Sequence, residues 1–100
     1  TMHDVSSRPH QATIDALTAA RQLQPWVDPA ALAEMMVGQT ILIANAWLQG
    51  RIADAAMIDR MALAVLTELA GSAREETRAR IETTIRRIAA GGADAYIAAI

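Results

Sequence analysis

The run DPAALAEMMVGQTILIANAWLQG, from Asp28 to Gly50, constrains the fold of this chain more than any other stretch. It opens with Asp-Pro. An Asp side chain caps a helix start, and Pro fits the first helical position because its missing N–H has no intrahelical role there. It closes on Gly50, placed to take a left-handed turn. The spacing predicts a helix from Pro29 to Gln49. At about 100° per residue, Glu34, Gly38, Ile41 and Asn45 share one narrow arc, with Gln49 beside it. The remaining perimeter carries Leu32, Met35, Met36, Val37, Ile43, Ala44, Ala46, Trp47 and Leu48. That apolar arc spans roughly 220°, whereas a surface helix buries a stripe of roughly 100° or somewhat more. Such a helix must be covered on more than one side. Glu34, Gln39 and Asn45 interrupt it too often for a bilayer span, so a core helix of a soluble protein is expected.

The rest of the chain also favours helices. Hydrophobic residues make up 53% of the 100 residues, but aromatics only 3%, with no Phe. Ala, Leu, Ile and Met must fill the core, and these suit helices better than sheets. A first helix is predicted from Pro9 to Gln24, stopped by Pro25, with Ile14, Leu17 and Ala20 or Arg21 as a narrow stripe. A third runs from Asp54 to Ala70 and closes at Gly71. Its wide face of Met57, Ile58, Met61, Ala62, Val65 and Leu69 is broadened by Leu63, Leu66 and Ala70, leaving Asp59, Arg60, Thr67 and Glu68 wet. Ser72-Ala73-Arg74-Glu75 fits a capping box. The fourth helix follows to Ala90, with Ile81, Ile85 and Ile88 in a stripe and Glu76/Arg80 and Glu82/Arg86 as i,i+4 pairs. Ala93 to Ile100 reads as a short last helix. No segment alternates as a strand would. The expected fold is all-α: one domain over residues 1–100, an antiparallel bundle of four to five helices. The narrow first and fourth helices cannot cover two wide neighbours. A homodimer pairing the second and third helices in a four-helix interface is therefore expected; a compact monomer with some exposed apolar side chains is the alternative.

Little in the sequence supports chemistry. There is no Cys, which removes disulfides and thiolate sites. Net charge is −2 and every basic residue is Arg. Arg74, Arg78, Arg80, Arg86 and Arg87 interleave with Glu75, Glu76 and Glu82, which reads as a solvated face rather than a nucleic-acid patch. His3, Asp4 and His10 lack a ligand spacing, and no phosphate loop or nucleophile elbow is present. No enzyme activity, metal or cofactor is expected. The start carries no signal peptide, so the cytoplasm is the expected compartment. Gln39 and Thr40 are the informative residues, because they lie within the apolar arc. Thr can bond back to the carbonyl four residues earlier and Gln can find a core partner. Alternatively both orient a ligand in a mostly apolar pocket.

The stretch Val27 to Gly71 resembles the C-terminal half of TetR-type transcriptional regulators. The resemblance rests on Asp28-Pro29, the greasy helix, Trp47-Leu48 near its end, Gly50 and the Met57–Leu69 face. The Arg/Glu-rich Ser72 to Ala90 also looks like the end of such proteins. The resemblance implies dimerisation through the last two long helices and a pocket for a small apolar effector. The effector is expected near Trp26, Met36, Gln39, Thr40, Ile43 and Trp47, and the dimer interface at Leu48, Ile58, Met61, Val65 and Leu69. The family's helix-turn-helix is not matched here, so DNA contact is expected only through a missing N-terminal domain. The alternative is a purely structural dimerisation or protein-interaction module without a ligand.

Overall fold

A computed structural model describes residues 2–93, with side chains from residue 8 onward. Four helices follow one another: α1 (Met2–Ala19), α2 (Pro29–Leu48), α3 (Asp54–Ser72) and α4 (Glu75–Gly91). The fold is an all-α helical bundle. The expected last helix lies outside the described residues except for Ala93.

α2 starts and stops as its sequence dictates. The Asp28 carboxylate accepts the Ala30 N–H at 3.0 Å, and Pro29 occupies the first turn. Gly50 turns the chain at φ +76°, a conformation that costs a residue with a Cβ about 1–2 kcal/mol. The helix is as long and apolar as a membrane span, with a mean hydropathy of 1.3. α1 and α3 both pack on it, and about a third of its apolar stretch is buried. Ile14 and Met36 are fully buried and join Leu23, Leu32, Ala33 and Leu69 in the larger core cluster. Ile43, Ala46 and Ile52 form a second cluster with Trp47, Met57 and Met61 against it.

The wide apolar arc is not buried throughout. Met35 and Leu48 are exposed, whereas Ile41, assigned to the wet arc, is half-buried. α3 departs too: Ile58 is exposed, while Asp59 and Glu68 are partly buried.

The end of α1, the end of α3 and the start of α4 differ from expectation because distant segments compete for the backbone. α1 extends through Pro9 and ends at Ala19, before Pro25 can act. Arg21 then takes a left-handed φ of +56°, which releases Leu23 to bridge Ala73. Gln24 N donates to Ser72 O at 2.8 Å and Arg74 N to Gln22 O at 2.7 Å. Thr77 Oγ1 donates to Gln22 Oε1 at 2.6 Å, and Arg74 Nε to Leu23 O at 3.2 Å. This clamp draws Ser72 into α3. The Ser72 hydroxyl donates to Glu68 O at 3.0 Å, so no capping box forms and α4 starts after Arg74 without a side-chain cap. Gly71 is simply helical. Of the two expected ion pairs, Glu76–Arg80 is present at 3.8 Å, while Glu82 pairs with Arg78 at 3.0 Å instead of Arg86.

α1 packs on α2, α2 on α3 and α3 on α4; among the described residues, the α1 and α4 backbones do not approach each other closely. They come together at the clamp and in the main core cluster, where Ile14 and Leu17 of α1 and Ile81 of α4 pack. Met36→Ala is expected to lower unfolding stability by about 2–5 kcal/mol, measured by urea denaturation, because it leaves a cavity at the centre of the main cluster.

Candidate functional site

Separation of α1 from α4 uncovers part of the α2–α3 layer between them. The result is a groove of about 580 Å³, within the usual range of small-ligand sites. Its floor is Met61, Ala62, Val65 and Leu66 of α3, with Ile58 at the rim. Ile88 and Thr84 of α4 form one wall; His10 of α1 and Thr40 of α2 form the other. Ala93 closes one end. Gly92, at φ +84°, turns the chain there, and the Asp59 carboxylate accepts the Ala93 N–H at 2.8 Å.

Among the described residues, three that line the groove are polar. The Thr84 hydroxyl donates to Arg80 O at 3.2 Å. The Thr40 hydroxyl donates to Met36 O at 2.9 Å, and His10 Nε2 lies 3.0 Å from Thr40 Oγ1. Burial pushes the His10 pKa below the ordinary histidine value, which favours the neutral ring near pH 7.

The residues expected to bind an effector do not converge. Thr40 lines the groove. Met36 and Ile43 are buried in the two core clusters. Trp47 packs against the second cluster, and its Nε1 donates to Asp54 Oδ1 at 2.6 Å, pinning the end of α2 to the start of α3. Gln39 sits on the opposite, outer side of the layer, in a dent with Leu63, Ala64, Thr67 and Glu68. Trp26 is 72% exposed beside Met35 in a neighbouring outer depression. The residues expected at a dimer interface divide as well. Ile58, Met61 and Val65 line the groove, Leu69 lies in the main core and Leu48 is exposed at the end of α2. Ala62, Leu66, Ile88 and His10 were not singled out for a ligand site by the sequence. The apolar spacing of α3 carried the first two, but nothing local told groove from core.

The outer side of α2 has its own pattern. Ala31, Met35, Gly38, Leu42 and Asn45 repeat at alternating steps of four and three and are all exposed, Met35 at 59% and Leu42 at 60%. This is the seam spacing of packed helix pairs. No atom lies within 4 Å of where a Gly38 side chain would begin, so the backbone is approachable. Glu68 borders this side. Its Oε2 is shielded from solvent without a hydrogen-bond partner among the described residues, and desolvation raises its pKa.

No family model matches the chain, and no curated protein or solved structure does. Among the described residues, no cluster of His, Asp and Glu is suited to hold a metal ion.

The raised Glu68 pKa has a definite sign. The folded state holds that proton more tightly than the unfolded chain, so the group's contribution is complete below the unfolded pKa, near 4.5, and is lost as pH rises through the folded value. Glu68→Gln is expected to raise the melting temperature at pH 7, with the gain shrinking toward pH 4 in parallel thermal melts.

Proposed function

We propose that this chain is a ligand-sensing and dimerising domain of a TetR-like transcriptional regulator that binds a small apolar effector. The groove between α1 and α4 carries this reading: about 580 Å³ lined by apolar side chains, with one histidine–threonine pair on its wall. Apolar enclosure with few polar groups is the usual make-up of small-ligand sites. The sequence resemblance over Val27 to Gly71 supports the same class. An effector in the groove would touch all four helices. Its differential contact with open and closed spacings of α1 and α4 would shift their populations. In this reading the 100 residues sense and dimerise, and operator contact belongs to a separate domain.

Naphthalene is a suitable first probe of the groove. At a hundredfold excess over its Kd, a specific ligand stabilises by about 2.7 kcal/mol, readily visible in a thermal melt. Val65→Trp, which fills the floor, should abolish that shift while far-ultraviolet circular dichroism stays helical. If neither naphthalene nor other apolar compounds of similar size shift the wild-type melt, the sensing role fails.

A second reading, a structural dimerisation module without a ligand, draws on the exposed seam of Met35, Gly38 and Leu42 with Trp26 beside it. Because Ile58, Met61 and Val65 line the groove and Leu69 lies in the core, the dimer of either reading is proposed on this seam instead. Sedimentation equilibrium should show a dimer at micromolar concentration, and Leu42→Glu should weaken it roughly tenfold or more, since it buries an unpaired charge. A wild-type monomer at that concentration removes the homodimer from both readings.

A further inference from the structure

The hydrogen bonds on the groove wall constrain what the groove can accept. Thr40 has one hydroxyl proton and two neighbours, Met36 O at 2.9 Å and His10 Nε2 at 3.0 Å. A backbone carbonyl can only accept. If the hydroxyl proton turned to His10, two oxygen lone pairs would face each other across the shorter contact. The arrangement that satisfies both contacts sends the Thr40 proton to Met36 O and has His10 Nε2–H donate to Thr40. The neutral ring is thereby fixed in one tautomer, and Nδ1 carries the lone pair. Nδ1 has no partner among the described residues. The Thr84 proton is also committed, to Arg80 O. Among the described residues, the groove wall therefore has no hydroxyl proton left to offer, and its remaining ring nitrogen is an acceptor not engaged by the protein.

We propose that the groove selects a ligand with an apolar body and one hydrogen-bond donor, an alcohol or phenol rather than a hydrocarbon or carboxylate, which donates to His10 Nδ1. This rests on the groove being a ligand site and adds the chemical class of what fills it. A hydrocarbon of the same size leaves Nδ1 unpaired, and a carboxylate presents an acceptor to an acceptor.

His10 is the one titratable residue lining the groove among the described residues. The sole charged residue of α2, Glu34, is exposed. Asp59 of α3 holds the Ala93 N–H, and Asp54 holds Trp47. Glu68 borders the outer dents, and Arg60 is exposed. On α4, Arg78 pairs with Glu82, while Arg80, Arg86 and Arg87 are exposed; on α1, Arg8 and Asp15 are exposed. The pH dependence of selection is therefore that of His10. Acid places a proton on Nδ1 and converts the acceptor to a donor, and burial moves this step below the ordinary histidine value.

The test compares naphthalene, 2-naphthol and 2-naphthoate by calorimetric titration of the full chain. At pH 7.5, the naphthol-to-naphthalene affinity ratio should be roughly five- to tenfold larger in the wild type than in His10→Phe, the equivalent of one net hydrogen bond. Naphthalene binding by His10→Phe shows that the variant groove is intact. In the wild type, which avoids any folding defect, naphthol should lose its advantage as pH falls from 7.5 to 5, and naphthoate should gain relative to both. Equal ratios in the two proteins, a naphthol advantage that persists at pH 5, or naphthoate binding most tightly at pH 7.5 would each overturn the selectivity while leaving the groove a ligand site. Failure of all three probes to bind either protein would overturn the sensing role and the selectivity together.

Discussion

Two wide helices and two narrow ones cannot make a closed four-helix bundle, and the rest of this structure follows from that mismatch. α2 and α3 each present more apolar surface than one partner can cover. α1 takes one side of α2 and α4 one side of α3. The clamp between Leu23 and Ala73 fixes the two narrow helices to a common end, and beyond the core cluster that Ile14 and Ile81 share they part on either side of the groove. What remains uncovered falls into two places: the groove between α1 and α4, and the outer seam of α2. A single imbalance in apolar width thus yields both a concave and a convex apolar surface.

The polar residues are distributed to match. Gln39 and Thr40 are neighbours in sequence but lie on opposite sides of the α2–α3 layer. Thr40 anchors His10 inside the groove, while Gln39 faces the outer dent beside Glu68. Each surface therefore carries its own titratable group, a histidine inside and a carboxylate outside. Desolvation shifts both toward the neutral form.

Where the determinants are local, the sequence was readable. Asp28-Pro29 and Gly50 act through their own backbone, and both ends of α2 form as their chemistry requires. The all-α class and the need to cover α2 twice likewise followed from composition and period. The end of α1 and the start of α4 were not legible, because they are set by bonds between residues about fifty positions apart. Gln22 and Leu23 draw Arg74 and Thr77 across, and Ser72 spends its hydroxyl on Glu68 rather than on a cap. The site was half legible. Angular spacing identified Ile58, Met61 and Val65 as a shared apolar face but could not say what lies opposite it. These residues were assigned to a partner chain and instead line the groove, while Trp26, assigned to the pocket, lies on the outside. Periodicity tells how much of a helix is apolar; it does not tell which neighbour covers which side.

The clamp also gives the molecule a mechanical character. α1 runs toward it and α4 runs away from it, so both helices diverge from that one hinge. α1 is seated on α2 through the His10–Thr40 contact, and the end of α4 is tied to α3 through the Ala93–Asp59 bond. With 18 residues at 1.5 Å each, α1 is a lever of roughly 27 Å. Each degree of rotation at the hinge moves its tip by roughly half an ångström. For a given rotation the displacement is therefore largest at the start of α1, the point of that helix farthest from the clamp.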